Sequence, residues 1–258
     1  MLLAIDIGNT HIVLGVFAGE RIVADWRMAT AGHRTADESW LTIENFCRNS
    51  GIQVEEIHRV AISSVVPDIT GVFATIARRY LRQDPLIVSS ELDLGIQVLY
   101  NDPGAVGADR LCNAVAGFKK YGGPLVVIDF GTATTFDVIS AGGDYLGGVI
   151  CLGVESCAAE LHRRAAKLPK IDLAFPANVI GRDTVTSMQA GVMLGTVDAA
   201  EGIIRRIRKE LGVDARVIAT GGFSAIMAGR IPAIDACEPT LVLDGIRLIT
   251  ERVPGIPR

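Results

Sequence analysis

Two short stretches of the sequence, residues 2–13 and 125–137, share a plan that suits phosphate chemistry. In each stretch an apolar run ends in an acid, a glycine follows two positions later, and small polar residues precede a second apolar run. The apolar runs are typical of buried strands, and the glycine allows a tight turn between them. The N–H groups of such a turn can bind phosphate oxygens, and the acid can hold a cation or a water.

The two stretches correspond residue by residue. Asp6 and Gly8 match Asp129 and Gly131 at the same offset along the chain, and the second copy adds the hydroxyls of Thr132, Thr134 and Thr135. Either stretch alone could be an ordinary hairpin. Two copies, one near the start of each half, indicate a duplicated domain and favour a nucleotide site that grips a polyphosphate and its metal.

An acid–arginine pair, Asp109 and Arg110, begins the helix predicted over residues 111–121, directly after the irregular stretch 91–107. Aspartate at a helix start can simply cap free N–H groups, but a cation is disfavoured there by the helix dipole. We therefore expect the pair to be functional. Asp109 would orient and deprotonate an acceptor hydroxyl, and Arg110 would pair with an anionic acceptor or with the transferring phosphoryl group.

Composition and the absence of several known motifs argue against other classes of function. There is no G-x-x-x-x-G-K-[ST] loop, no G-x-G-x-x-G and no G-x-S-x-G elbow. The net charge of −4 predicts no nucleic-acid partner, and no apolar run reaches the roughly 18 residues of a membrane span. Five cysteines without a C-x-x-C pair argue against a disulfide framework or a zinc site, and no signal peptide is evident. We expect a cytoplasmic protein.

The elements that must position these residues predict an α/β fold. An antiparallel meander opens the chain, and strands at 60–65 and 85–88 alternate with helices at 35–50 and 69–82. The hinge at residues 122–124 divides the chain into domains 1–121 and 122–258. The second half repeats the plan, with helices at 154–167, 184–211 and 245–252 and a strand at 216–220 that ends in Gly221 and Gly222. Small residues along 184–211 predict close helix contact, in the core or across a dimer.

Together these motifs closely resemble the type III pantothenate kinase family, essentially from end to end. The D-x-G-N-T and D-x-G-T-A-T-T pair at residues 6–10 and 129–135 is shared with the wider acetate kinase, sugar kinase, heat-shock protein and actin superfamily. The G-A-D-R element at 107–110 and the stretch 181–191 narrow the resemblance to this family. The resemblance implies duplicated ribonuclease-H-like (actin-like ATPase) domains with mixed sheets, an ATP cleft between them, and a homodimer.

The resemblance also implies the reaction, the cofactors and the site. The reaction would be the ATP- and magnesium-dependent phosphorylation of the terminal hydroxyl of pantothenate, the first step of coenzyme A biosynthesis, with Asp109 as general base. Asp129 would bind a monovalent cation, potassium or ammonium, and Asp6 a magnesium ion through water. ATP would contact Asp6, Ile7, Gly8, Asn9, Thr10, His11, Ile12, Val13, Thr132, Gly221 and Gly222. Pantothenate would contact Tyr100, Gly107, Ala108, Asp109, Arg110 and Thr184.

Three positions depart from the family pattern. His11 replaces a small polar residue, Leu152 replaces a proline before Gly153, and Asp183 replaces an asparagine, adding negative charge near an anionic substrate. Two alternatives to the kinase stay open on the sequence. One is a superfamily kinase or phosphatase for another hydroxy acid, and the other is a nucleotide-binding accessory or regulatory protein that kept the fold and lost catalysis. A filament-forming, actin-like protein is disfavoured by the short chain.

Overall fold

The computed structural model describes residues 1–32 and 34–253, which divide into two compact units. The first comprises Met1–Lys119 together with the chain from Leu241, and the second comprises Lys120–Thr240. The break near residue 120 falls beside the expected boundary. The chain after Thr240 differs from the expectation, because it returns to the first unit instead of staying with the second.

One mixed sheet organises the first unit. Its strands are β1 (Leu2–Ile7), β2 (His11–Ala18), β3 (Arg21–Ala29), β4 (Arg59–Ser64) and β5 (Leu86–Ile87). Their order in the sheet is β3-β2-β1-β4-β5. The first three strands form the predicted antiparallel meander, whereas β4 and β5 run parallel to β1. The parallel strands place the ends of β1 and β4 at the same edge of the sheet.

Helices cover this sheet and close its core. They are α1 (Ala36–Asn49), α2 (Pro67–Arg79) and α3 (Ala108–Tyr121). A capping box begins α1, because the Thr35 hydroxyl accepts from Glu38 N while the Glu38 carboxylate accepts from Thr35 N. Apolar residues of α1 and α2, including Trp40, Ile43 and Phe73, are buried against the inner strands.

The second unit repeats the plan of the first. Its strands are β6 (Leu125–Phe130), β7 (Ala133–Ile139), β8 (Tyr145–Leu152), β9 (Arg216–Thr220) and β10 (Ala236–Cys237), in the order β10-β9-β6-β7-β8. Again three strands form an antiparallel meander and two run parallel to the first of them. The duplicated, mixed α/β architecture inferred from the repeated turns is thus confirmed. The sequence missed the two-residue β10.

The helices of the second unit differ from the prediction in one place. They are α4 (Val154–Arg164), α5 (Thr184–Gln189), α6 (Gly195–Leu211) and α7 (Ser224–Ala228). The single helix expected over 184–211 is interrupted between α5 and α6 by a π-helical turn, Ala190–Leu194. Gly191 lies within this turn and Gly195 directly follows it. Glycine weakens a regular helix, which is consistent with the interruption.

The small residues of this segment do not all serve the same purpose. Ala190 and Ala200 are buried in the core of the second unit. Gly191 and Gly195 point outward, and a Cβ built on either would meet nothing within 4 Å. The core therefore accounts for only part of the pattern.

The chain returns to the first unit as helix α8 (Leu241–Arg252), which packs on β1, β2 and β4. A Cβ added to Gly245 would lie 2.1 Å from the carbonyl oxygen of Cys112 in α3, so only glycine fits at this crossing. A Cβ built on Gly15 of β2 would lie 2.8 Å from Leu243 Cδ1, so this side chain of α8 also packs closely on the sheet. This packing explains why residues 241–252 belong with the first unit. Among the described residues, no helix combines the length and apolar character needed to cross a membrane.

Candidate active site

The first acid–glycine turn lies at the carboxyl end of β1. Because β1 and β4 are parallel with Asp6 and Ser63 in register, the Ser63 hydroxyl reaches Asp6 Oδ1 and donates to it at 2.8 Å. The N–H of Gly8 donates to the carbonyl of His11 at 3.0 Å and closes a tight turn over the two residues between them. Ser63 is a site residue that the sequence reasoning missed. Its signal is a polar residue at the end of a strand parallel to β1.

The residues of this turn divide sharply by exposure. Asn9, Thr10 and His11 are exposed, whereas Ile7 and Ile12 are buried at 0% and 2% exposure in the core. The two isoleucines therefore contribute backbone groups to any nucleotide contact, and their side chains hold the strands in place.

The G-A-D-R element forms the start of α3, as predicted. The Asp109 carboxylate accepts a hydrogen bond from the N–H of Arg110 at 2.8 Å. A Cβ on Gly107 would lie 2.5 Å from Asp109 Oδ1, so the glycine leaves the space that the carboxylate occupies. Burial raises the pKa of Asp109, while the Arg110 N–H and its guanidinium partly counteract this. Arg110 itself is buried, at 8% exposure.

The Cys112 thiol joins the two groups of residues within the first unit. The Ser63 side chain, which donates to Asp6, is close enough to lower the pKa of this thiol. Burial raises the pKa of Cys112 well above its usual value, and the negative charges of Asp6 and Asp109 raise it further. Both carboxylates thus lie within electrostatic range of one buried thiol, which brings the first turn and the proposed base to the same end of the sheet.

Tyr100 lies between β5 and α3, in the segment that the sequence predicted to be irregular. Within this segment, the only helical element among the described residues is a short 3₁₀ turn, Pro103–Ala105. Its N-cap, Asp102, accepts a hydrogen bond from Gly104 N at 3.1 Å. The Tyr100 ring is 38% exposed.

The second acid–glycine turn places Asp129 in a row of polar residues across three strands. Asp129 of β6 is paired with Thr135 of β7 on one side and with Thr220 of β9 on the other. Directly after Thr220, Gly221 has a φ of +91°, and a Cβ built on it would lie 2.3 Å from Asp129 Oδ1. Glycine is required here for both reasons. The sequence named Asp129 and Gly221 separately, and the fold brings them into contact.

The Gly221–Gly222 turn is fixed from both ends. The Ser224 hydroxyl donates to the Gly221 carbonyl at 2.7 Å, and the N–H of Phe223 donates to the carbonyl of Phe130 at the end of β6. The short helix α7 then begins, which the sequence did not predict. Thr132, in the turn between β6 and β7, is exposed.

The residues around Asp129 offer oxygen atoms that could hold a hard cation. One carboxylate stands between two threonines, and hard cations take oxygen ligands. No group of three or more histidine, cysteine, aspartate or glutamate side chains that could hold a metal occurs within residues 1–32 and 34–253.

Thr184 is the first residue of α5 and is exposed. Asp183 is the N-cap of this helix, and its carboxylate accepts from the Thr186 N–H at 2.8 Å. That hydrogen bond lowers the pKa of Asp183. Because asparagine and aspartate cap helices about equally well, the departure at Asp183 keeps the local structure and adds a charge.

Comparison with known proteins agrees with these observations. The family model for type III pantothenate kinase matches residues 2–206. A type III pantothenate kinase of Roseiflexus castenholzii is 47% identical over 251 residues, which cover 97% of this chain and 98% of that protein. One from Moorella thermoacetica is 44% identical over 252 residues, covering 98% and 99%.

Solved structures show the same fold at low sequence identity. Component A of the (R)-2-hydroxyglutaryl-CoA dehydratase of Acidaminococcus fermentans has a TM-score of 0.55 at 15% identity, over 96% of this chain and 95% of that one. The ROK hexokinase of Thermus thermophilus has a TM-score of 0.50 at 14% identity, over 96% and 97%. The fold is therefore that of the actin-like ATPases and sugar kinases, and by its motifs, its family model and its near-full-length relatives this chain belongs to the type III pantothenate kinase family.

Proposed function

We propose that this chain catalyses the ATP-dependent phosphorylation of the terminal hydroxyl of pantothenate to 4'-phosphopantothenate, the first step of coenzyme A biosynthesis. The observation that carries the proposal is the Asp109 carboxylate, held at the first turn of α3 and partly desolvated; like Asp6, it lies within electrostatic range of the buried Cys112 thiol. A carboxylate with a raised pKa is a suitable general base for a hydroxyl nucleophile.

In the proposed mechanism Asp109 accepts the proton of the pantothenate hydroxyl as its oxygen attacks the γ-phosphorus of ATP. The bond from that phosphorus to the bridging oxygen breaks, and ADP leaves with the electron pair. Phosphoryl transfer depends mainly on positioning and on neutralising charge. Arg110, a cation next to the base, would pair with an anionic group of the acceptor or with the transferring phosphoryl group.

The remaining site residues are assigned by motif. ATP would be contacted by residues 6–13 of the first unit and by Thr132, Gly221 and Gly222 of the second. Pantothenate would be contacted by Tyr100, by residues 107–110 and by Thr184. A magnesium ion would be held through water by Asp6, whose Oδ1 is already oriented by Ser63.

We also propose that Asp129 holds the monovalent cation. The row of Thr220, Asp129 and Thr135 across β9, β6 and β7 supports this assignment, because it places a threonine on each side of one carboxylate. The cation would neutralise charge near the phosphates. Which ion binds, potassium or ammonium, follows from the experiment below. The predicted cytoplasmic location stays a prediction.

A homodimer is proposed on the surface of the second unit. The outward face of the edge strand β8 carries Leu146, Ile150 and Leu152 at 38%, 62% and 59% exposure. Leu152 also lines a cavity of about 320 Å³ together with the outward Gly191 and Gly195 of the interrupted helix. Clustered apolar residues on a surface are typical of an interface.

The test is coupled ADP release by the purified protein with magnesium-ATP, with and without pantothenate, in potassium, ammonium and sodium buffers. We expect turnover that requires pantothenate and one of the first two ions. Asp129→Asn should remove the dependence on the ion, and an unchanged response would move the cation elsewhere. Nucleotide binding without stimulation by pantothenate in any buffer would contradict the assignment and lead to a screen of other hydroxy acids.

A further inference from the structure

Thr30, the residue that directly follows β3, is hydrogen-bonded to the backbone of the first acid–glycine turn. The Thr30 hydroxyl donates to the carbonyl oxygen of Gly8 at 2.7 Å. The Thr30 N–H donates to the carbonyl of Thr10 at 2.9 Å. One residue therefore fixes both ends of the turn, in addition to the bond between Gly8 N and His11 O.

These hydrogen bonds determine which way the turn presents its donors. In a trans peptide the carbonyl oxygen and the following N–H point in opposite directions. Because the Gly8 carbonyl points to Thr30, the N–H of Asn9 points away from β3. Asn9 is exposed, so the donor faces the side from which a ligand can approach.

The second unit has a corresponding arrangement. There the Ser156 hydroxyl of α4 donates to the carbonyl of Thr132 at 2.8 Å, and the N–H of Gly153 donates to the same oxygen at 3.1 Å. A Cβ on Gly153 would lie 2.4 Å from this oxygen, so the approach requires glycine. By the same peptide geometry the N–H of Ala133 points away from α4. Both arrangements follow the third strand of a meander, β3 in one unit and β8 in the other.

We propose that Thr30 and Ser156 are positioning residues for the nucleotide phosphates. Each uses its hydroxyl to hold one turn carbonyl, and so keeps the neighbouring N–H directed at a phosphate oxygen before the nucleotide arrives. Fixing a donor in advance removes an ordering cost from binding. The inference rests on the proposed role of the two turns in binding ATP, and it adds two residues that the motifs do not contain.

The test compares substitutions that remove each hydroxyl with substitutions that keep it. Thr30→Val and Ser156→Ala should each raise the KM for ATP and the dissociation constant for magnesium-ADP about three- to tenfold, the effect of one lost hydrogen bond. The KM for pantothenate should stay unchanged. Thr30→Ser and Ser156→Thr should restore nucleotide affinity, because the donor is retained.

Thr75→Val is the matched control. Its hydroxyl donates to the carbonyl of Gly71 at 2.9 Å on the exposed surface of α2, so the change is chemically the same as Thr30→Val. If Thr30→Val binds nucleotide as well as Thr75→Val does, the proposal is overturned for the first turn. If Ser156→Ala binds nucleotide as well as the unsubstituted protein does, the proposal is overturned for the second turn. A rise in the KM for pantothenate of equal size, or failure of the serine variant at Thr30, would show a merely structural role.

Direct titration with magnesium-ADP separates this inference from the proposed function. Absence of pantothenate-dependent turnover in the unsubstituted protein would contradict the proposed reaction, while the titration would still decide the role of Thr30 and Ser156. If the unsubstituted protein binds no nucleotide, the proposed reaction and the positioning role of Thr30 and Ser156 are both contradicted.

Discussion

Asp109 shows how one residue acquires its chemical role from its neighbours. Its carboxylate lies in the space left by Gly107, accepts a hydrogen bond from Arg110 N, and is partly removed from water. Burial favours the neutral acid and so raises the pKa, which makes the ionised form a stronger base than an ordinary aspartate. The motif gives the residue type and position, and the packing sets the basicity.

The proposed base role predicts the behaviour of Asp109→Asn. Turnover should fall about 10²–10⁴-fold, because asparagine cannot accept the proton. Nucleotide affinity should be unchanged, and stability at neutral pH should be equal or higher, because a desolvated charge is removed. Measurements of kcat, magnesium-ADP affinity and Tm check this. Asp84→Asn, which alters an exposed ion pair with Arg78, is the control and should change none of the three. Turnover close to that of the unsubstituted protein would remove Asp109 from the mechanism.

The pH dependence follows from the same shift. Asp109 must be ionised to act as a base, so kcat/KM should fall as the pH is lowered through its pKa. Because burial raises that pKa, this acid limb should lie above the range of an ordinary aspartate. Folding stability should change with pH in the opposite direction to kcat/KM. A pKa raised in the folded state stabilises the protein at pH values below the unfolded-state pKa, and this stabilisation is lost as the pH rises through the folded-state pKa. A limb in the ordinary aspartate range would contradict the desolvation argument.

At the scale of elements, the meanders and turns could be predicted because their information is local. An apolar run that ends in acid-x-glycine specifies a strand and its turn without reference to the rest of the chain. The contact between Gly221 and Asp129 could not be predicted, because it depends on β9 pairing with β6 across more than eighty residues. The hydrogen bond from Ser63 to Asp6 depends in the same way on register.

Helix α8 illustrates the same limit. Its pattern predicts a helix, and the observed element begins four residues before the predicted start. Nothing local indicates that it packs on the first sheet, since that depends on the fit of Gly245 against the Cys112 carbonyl. The position of α8 is thus decided by packing between distant segments.

This crossing predicts the effect of Gly245→Ala. The added methyl group would overlap the backbone of α3, so α8 must shift, at a cost of about 1–3 kcal/mol in unfolding free energy. The matched change Gly71→Ala, in α2 of the same unit, meets nothing within 4 Å and should be neutral or stabilising by up to about 1 kcal/mol. Urea unfolding followed by tryptophan fluorescence measures this unit alone, because Trp26 and Trp40 both lie in it. Equal stabilities of the two variants would contradict the predicted clash.

At the scale of the whole molecule, the question is what covers the apolar surface of the second unit. Ile150 and Leu152 lie two residues apart on β8, so their side chains share one face. The outward glycines 191 and 195 leave room for close approach by another surface. A single chain does not bury these groups. A second copy related by a two-fold axis would bury the same groups on both copies.

The dimer hypothesis predicts the result of Ile150→Lys. A symmetric interface would contain two buried lysines, each unpaired, and should dissociate at micromolar concentration. Sedimentation velocity should then report the mass of one chain, 27.4 kDa, in place of twice that mass for the unsubstituted protein. Leu41→Lys is the matched control, because Leu41 is exposed to a similar degree, 57%, but lies on α1 of the first unit. A monomeric unsubstituted protein would refute the dimer, and an Ile150→Lys variant that stays dimeric would place the interface on another surface.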